Sequence, residues 1–403
     1  MSGAYDAIRV VVPTLCLLMA IGVMIGTWLQ SGTIATIIAG GLKLIDPTWL
    51  LPLTLVFCAV LSLVTGTSYG SVGSAGVAMM AIGNAMGINP GMVAGAVICG
   101  AMFGDKLSPL SDTTNLAPAV AGAKLNDHVR SMLWTTLPTF VISLVLFVIL
   151  GISQTSGGYE EGNLIVYTEA LQGEFKLGLV TLIPAAVIIV LLLCKVNAIV
   201  SLGLSSVCAG AVAFFCQGAT LQSIIRVAYN GYSTSIEEGI LQTILNRGGM
   251  SSMLQYVAII CFAVGMGGML DRLGVLGNLL NAIVNHINSD GSLIAASLLV
   301  GYVTSLISCS QPMSHVLTGN MMKPLFKSRK IAPEILSRTL EDAGTLSGPM
   351  IPWHGYCVYM SGTLGVAWSV FFPYLFLLYL TPLFSIFYGF TGISIRHTDD
   401  AQN

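Results

Sequence analysis

The chain has 403 residues, of which 55% are hydrophobic and only 8% charged, against about 25% charged in an ordinary soluble domain. So little charge cannot coat a globule of this size in water, and a net charge of −2 without a basic tract gives no footing for a nucleic-acid partner. The nine cysteines stand singly, with no C-x-x-C pair, and read as buried free thiols, neither disulfides nor metal ligands.

Apolar runs long enough for roughly 30 Å of hydrocarbon recur from end to end. The first, VVPTLCLLMAIGVMIGTWL (11–29), has no small-residue cleavage site behind it and predicts a retained span, not a signal peptide. A short, more polar segment follows, expected along the membrane interface. Residues 49–64 and 72–86 are two apolar pieces joined at the polar tip TGTSYGS. Residues 91–103 and 113–123 form a span interrupted by GDKLSPLSD, and 131–152 form an uninterrupted one. Two further spans occupy 177–194 and 196–216. The order of parts then recurs: a span at 254–271, a polar segment, two pieces at 292–307 and 315–326 about SCSQPMS, an interrupted span at 333–343 and 353–365 about GTLSGPMIP, and a closing span at 366–390.

The recurrence is also visible in the residues, at an offset of about 240, as expected of a transporter built from repeats. MAIGVMIGTWLQSG (19–32) stands against CFAVGMGGMLDRLG (261–274), and LVFCAVLSLVTGTS (55–68) against IAASLLVGYVTSLI (294–307). Cytoplasmic loops carry the excess of Lys and Arg. If each two-piece element is a hairpin that re-enters its own side, Arg9, Lys124, Arg130, Lys195, Arg272, Lys323, Lys327, Arg329, Lys330 and Arg396 share one side. Lys43, Lys176, Arg226 and Arg247 take the other, with the acidic loop of Glu160, Glu161, Glu169 and Glu174, while Lys106 and Arg338 remain within the membrane. An odd number of crossings then separates the copies, which makes them inverted; hairpins that cross twice would make them parallel, and the basic loops tolerate that too, but the tips TGTS and SCSQPMS read as irregular backbone lining a polar cavity and favour the inverted arrangement. The expected fold is an all-α polytopic membrane protein of two inverted repeats, each with a re-entrant hairpin and a broken transmembrane helix. The first repeat is 1–153, short of two helices at its start; 154–176 is an extracytoplasmic loop, 177–396 the second repeat and 397–403 a tail.

Ionisable groups inside a membrane bundle are costly and point to function. Asp105, Asp112, Glu341 and Asp342 are the carboxylates of the two interruptions, and Lys106, Arg338, His315 and His354 are their candidate charge partners. A structural ion pair is the plain alternative for Lys106 and Arg338. It does not serve both Asp105 and Asp112, whose neighbours Ser108, Ser111, Thr113, Thr114 and Asn115 are rich in oxygen. Hard cations take oxygen ligands with a carboxylate for charge balance, and crowded carboxylates retain a proton. Thr65, Thr67 and Ser68 at the first tip and Ser308, Ser310 and Gln311 at the second, with Thr345 and Ser347 in the second interruption, complete the expected ion and proton site near the midplane. Helix capping and small-residue packing are the plain readings of these hydroxyls.

The run GDKLSPLSDTTNLAPAVAG (104–122), preceded by TGTSYGS and followed by an H-V-R turn and WTTLP, closely resembles the NhaC-type sodium/proton antiporters, as does EDAGTLSGPMIPWH (341–354). That family includes sodium-lactate/malate-proton antiporters and belongs to the ion-transporter superfamily of inverted repeats with hairpins. The resemblance implies a multi-pass protein of the bacterial inner membrane that takes in H⁺ and drives out Na⁺ by alternating access. It also implies Asp105 and Asp112 as cation and proton carboxylates, Ser108, Ser111, Thr113 and Asn115 as ligands, and Glu341 and Asp342 as counterparts. No cofactor or resident metal is expected, since the ions are cargo. Small organic acids such as malate and lactate are the alternative cargo, with Lys106 or Arg338 to meet the carboxylate. A more remote alternative is an intramembrane aspartyl protease using Asp105 and Asp342, and a homodimer is left open.

Overall fold

The computed structural model describes residues 2–155, 169–234, 242, 245–273 and 287–398. Glu160 and Glu161, most of the polar segment after 273 and the tail beyond 398 lie outside these residues. Within them the chain is helical, with one isolated β-bridge between Ile331 and His397.

Helix α1 (Ser2–Gln30) leads through the short apolar α2 (Thr33–Leu44) to the first hairpin. This consists of α3 (Pro47–Thr65), α4 (Ser68–Ser71), a π-helical turn (Val72–Gly76) and α5 (Val77–Ala85). The first broken helix is α6 (Pro90–Leu107) and α7 (Asp112–Ala121), bent by 49°. After α8 (Leu125–Thr155) come α9 (Ile183–Leu193), α10 (Ala198–Cys216), α11 (Leu221–Asn230) and α12 (Met250–Arg272). The second hairpin is α13 (Asp290–Ser308) and α14 (Gln311–Ser328). The second broken element runs through α15 (Pro333–Leu340), a π-helical turn (Glu341–Thr345) and a 3-10 turn (Gly348–Met350) to α16 (Gly355–Leu364). The last span is not one straight helix: α17 (Trp368–Phe371) and its 3-10 extension to Tyr374 meet α18 (Phe376–Thr391) at 50°. Among the described residues six helices are long and apolar enough to cross a membrane, or eight if each bent pair counts as one span.

Local chemistry sets the helix ends that matter for the site. Asp46 and Asn89 cap α3 and α6 through bonds from Thr48 N (2.8 Å) and Gly91 N (2.8 Å), each with a proline at the first helical position. Helix α3 stops where Gly66 turns left-handed at φ 71°, a conformation that costs a side-chain-bearing residue about 1–2 kcal/mol.

Helices α3 and α6 lie against each other closely enough that a Cβ on Gly100 or Gly104 would run into the backbone of Leu55 and Ala59. Small residues at such a seam replace the hydrophobic drive that is missing in lipid. On the outer face of α8, Trp134, Leu137, Val141, Val145, Ile149 and Ile152 are exposed at helical spacing. In water that stripe would be a liability, whereas against acyl chains it needs no cover. The buried apolar residues form two cores, and the smaller one joins Ala117 and Ala121 of α7 to Leu293, Leu298, Met322, Phe326, Leu336 and Leu340. The second half of the first broken helix is therefore built into the second hairpin. All nine cysteines are free, and Cys194 is exposed.

Candidate functional site

Each hairpin tip lies beside a break. A Cβ on Gly66, at the first tip, would stand 2.6 Å from Leu110 Cβ in the first break. At the second tip, Gln311 Nε2 donates to the Thr345 carbonyl at 2.7 Å. Both tips face a cavity of about 610 Å³, whose wall includes Thr65, Thr67, Asp112, Thr113, Ser310, Gln311, His354 and Tyr356, together with α1 and the α9–α10 turn at Lys195.

The first break is narrower than the sequence suggests. Helix α6 continues through Asp105 and Lys106 to Leu107, leaving residues 108–111 outside regular helix. Two side chains close this short gap. Asn115 Nδ2 donates to the carbonyls of Pro109 (2.9 Å) and Ser111 (2.7 Å), while Thr114 Oγ1 donates to those of Asp105 (3.1 Å) and Lys106 (3.0 Å). The end of α6 would otherwise hold unpaired carbonyls in the bundle interior. Ser108, the C-cap of α6, is buried, and its Oγ accepts from Leu110 N at 3.3 Å. Ser111 and Thr113 share a hydroxyl contact of 3.1 Å.

Asp105 and Asp112 stand in different surroundings. Asp105 is 3% exposed, and Ser68 Oγ donates to its Oδ2 at 2.6 Å. Ser68 Oγ is itself 3.2 Å from the Tyr356 hydroxyl, so residues of both halves of the chain meet at this carboxylate. Tyr356 stacks on Tyr69 with ring centroids 4.3 Å apart. Asp112 is exposed on the cavity wall with Thr65, Thr67 and Thr113. Of these, Thr65 Oγ1 bonds back to Leu61 O (2.8 Å) and Thr67 Oγ1 caps α4 at Gly70 N (3.4 Å), so both also serve the tip itself.

Glu341 and Asp342 are adjacent but serve different partners. Asp342 forms an ion pair with Lys106 across the two broken elements, with both side chains fully buried. Thr135 Oγ1 adds a bond to the same Asp342 oxygen at 3.2 Å. Glu341 Oε2 accepts from Thr345 Oγ1 at 2.5 Å, and that hydroxyl lies 3.2 Å from His315 Nε2. Among the described residues Arg338 joins no carboxylate by ion pair: its Nη1 donates to Ser394 Oγ at 3.0 Å, while Nε and Nη2 find no hydrogen-bond partner there. Ser347 bonds Ser305 (2.7 Å) and the Gly344 carbonyl (3.2 Å), apart from the carboxylates. His354 caps α16 through Tyr356 N (3.1 Å) and presents its ring to the cavity wall.

Tyr356, Tyr69 and Thr135 belong to this constellation, although none stands out in the sequence as a site residue. The available signal was positional: Tyr356 follows His354 by two residues, and Tyr69 lies inside the first tip. Among the described residues no three His, Cys, Asp or Glu side chains converge as metal ligands. One carboxylate among hydroxyls and broken-helix carbonyls is an environment for a hard monovalent cation.

A family model described as the Na⁺/H⁺ antiporter family matches residues 100–393. The chain belongs to the Na⁺/H⁺ antiporter family. Among its relatives is the Na⁺/H⁺ antiporter NhaC of Alkalihalophilus pseudofirmus, 37% identical over 403 residues, covering all of this chain and 87% of the relative. The malate-2H⁺/Na⁺-lactate antiporter of Bacillus subtilis is 36% identical over 382 residues, covering 95% of this chain and 82% of that one. The arginine/ornithine antiporter ArcD of Halobacterium salinarum is 32% identical over 403 residues, covering 100% and 83%. These relatives are antiporters, and this member of the Na⁺/H⁺ antiporter family is a multi-pass membrane transporter, not an enzyme.

Proposed function

We propose that the protein exports Na⁺ in exchange for protons across a bacterial cytoplasmic membrane, by alternating access at the break between α6 and α7. The observation that carries this reading is Asp105, a buried carboxylate at a helix break whose bonded partner is a hydroxyl, not a cation. An ionised carboxylate so placed lacks a counter-charge, and a bound monovalent cation supplies one. Asp105 with Ser68 forms the core of the cation site; Ser108, Ser111, Thr113, Thr114 and Asn115 shape the break, and Asp112 attracts the cation into the cavity.

Residues 1–153 and 177–396 form inverted repeats in this reading. In support, each hairpin tip abuts a break, and residues of the two copies meet in pairs: Ser68 with Tyr356, Lys106 with Asp342. The cavity lies beside Lys195, on the side where the excess of Lys and Arg puts the cytoplasm.

An organic-acid antiporter is the second reading, and it rests on the likeness to the malate/lactate relative. Its cargo needs an available cation at the cavity. Lys106 is held by Asp342, and neither Lys106 nor Arg338 lines the cavity; Lys195 lines it at the α9–α10 turn, while the break contributes Asp112. At the break itself the geometry favours a cationic cargo. Proteoliposomes loaded with a pH dye and pulsed with NaCl, KCl or sodium malate separate the readings. A lumenal pH change driven by NaCl alone is expected, whereas a response that requires malate would move the assignment to organic-acid exchange.

A further inference from the structure

The cluster behind the second hairpin tip has a hydrogen-bond arithmetic of its own. His315 Nδ1 lies 2.7 Å from the Gln311 carbonyl; a carbonyl only accepts, so Nδ1 carries a hydrogen and a neutral ring has a bare Nε2. That Nε2 faces Thr345 Oγ1 at 3.2 Å, and Thr345 Oγ1 faces Glu341 Oε2 at 2.5 Å. The threonine hydroxyl has one hydrogen to give and two acceptors beside it. With Glu341 ionised and His315 neutral, one acceptor is left facing a lone pair, at full burial of both side chains.

One added proton resolves the conflict in either of two ways. In the first, Glu341 Oε2–H donates to Thr345 and the Thr345 hydroxyl donates to His315 Nε2. In the second, His315 Nε2–H donates to Thr345 and the hydroxyl donates to the Glu341 carboxylate. Both arrangements satisfy every link and carry the same net charge. Passage between them breaks the Glu341 O–H and Thr345 O–H bonds while forming a Thr345 O–H and a His315 N–H bond, with no other reactant.

The surroundings favour such an isolated proton. Of the charged or titratable groups on the elements packed against this turn, Lys106 and Asp105 come from α6, Arg338 and Glu334 from α15, Asp112 from α7, Asp290 and Tyr302 from α13, Lys323 and Lys327 from the exposed far part of α14, and Tyr379 and Tyr388 from α18. Lys106 is bonded to Asp342, adjacent to Glu341 in the turn, and Arg338 to Ser394, so neither cation is hydrogen-bonded to Glu341. Gly344 makes room for the ring, since a Cβ there would lie 3.2 Å from His315 Cε1. Such π-helical turns recur at functional sites. Gln311, whose carbonyl orients His315, lines the cavity; the histidine end of the chain therefore lies one helical turn behind the cavity wall.

We propose that Glu341, Thr345 and His315 are the proton site of the transporter, distinct from the cation site at Asp105, with Thr345 as the relay between them. This rests on the antiport reading above. The turn that carries Glu341 packs against α6, which carries Asp105; two nearby carboxylates resist joint ionisation, so a cation bound at Asp105 relieves that repulsion and the two cargoes oppose each other.

Proteoliposomes carrying Glu341→Gln, Thr345→Val or Thr345→Ser are compared with wild type by two readouts: exchange of radiolabelled Na⁺ for unlabelled Na⁺, which moves no proton, and Na⁺-driven lumenal pH change. The expected result is loss of the pH response by about 10²-fold in Glu341→Gln and Thr345→Val, with Na⁺-for-Na⁺ exchange retained and coupling restored by serine. Coupling at wild-type level in Thr345→Val overturns the relay, as does equal loss of both readouts in Glu341→Gln and Thr345→Val. A wild-type protein that exchanges Na⁺ for Na⁺ but never moves protons removes the antiport reading itself, and the proton site with it.

Discussion

Replacing Lys106 by methionine removes one half of a fully buried ion pair. The stem packing is largely kept, but Asp342 is left with the Thr135 hydroxyl on Oδ1 and, among the described residues, no partner on Oδ2. Breaking a buried pair from one side costs about 3–5 kcal/mol, because an uncompensated charge stays behind; that is a factor of roughly 10²–10⁴ in the unfolding equilibrium. Removing both charges is far milder. Lys106→Met with Asp342→Asn keeps an acceptor for Thr135 and is expected within about 1–2 kcal/mol of wild type. Unfolding of purified protein in mixed micelles, followed by tryptophan fluorescence, gives the three midpoints. A single variant as stable as wild type would refute the buried pair as a structural strut, and a double variant as damaged as the single would show that the lysine stem, not its charge, matters.

Ser68→Ala deletes a bond to an ionised carboxylate, worth about 1.5–3 kcal/mol, and is expected to raise the Na⁺ concentration for half-maximal exchange by roughly tenfold or more; an unchanged value would remove Ser68 from the site. Asp112 is exposed, so Asp112→Asn should slow Na⁺ entry at low ionic strength and lose its effect once salt shortens the screening length to about 3 Å near 1 M, which initial-rate measurements across inert salt will show. Gly104→Ala drives a Cβ into the α3 backbone and should cost about 1–3 kcal/mol. Gly40→Ala, with nothing within 4 Å of the new atom, should be neutral or stabilising by up to about 1 kcal/mol, a contrast that melting curves of the two proteins will test.

Hydropathy located the long spans, and the polar run at 104–115 marked the first break, because apolar length and its interruption are local properties of the chain; the span expected at 177–194 is instead a short apolar helix, Ile183–Leu193, behind a 3-10 turn. The helix through Asp105 and Lys106 was not legible in the same way. Lys106 is tolerated on the last turn of α6 since it meets Asp342, a partner 236 residues away. Local propensity carries no trace of such a partner. Likewise the π-helical turn at Glu341–Thr345 depends on what packs beside it, and the bend at Leu375 falls in a run that reads as uniformly apolar. Carboxylates and hydroxyls pointed to the candidate site, whereas Tyr356 looks in the sequence like one more aromatic in a membrane helix. Its contact with Ser68 arises only when the halves of the chain come together.

In the proposed exchange Asp105 holds the transported cation. Equilibrium binding of radiolabelled Na⁺ to purified protein tests it most directly, with wild type, Asp105→Asn and the Lys106→Met, Asp342→Asn double variant compared side by side. Saturable binding in wild type and the double variant, absent from a folded Asp105→Asn protein, is the predicted result; binding by Asp105→Asn at wild-type affinity would contradict the account.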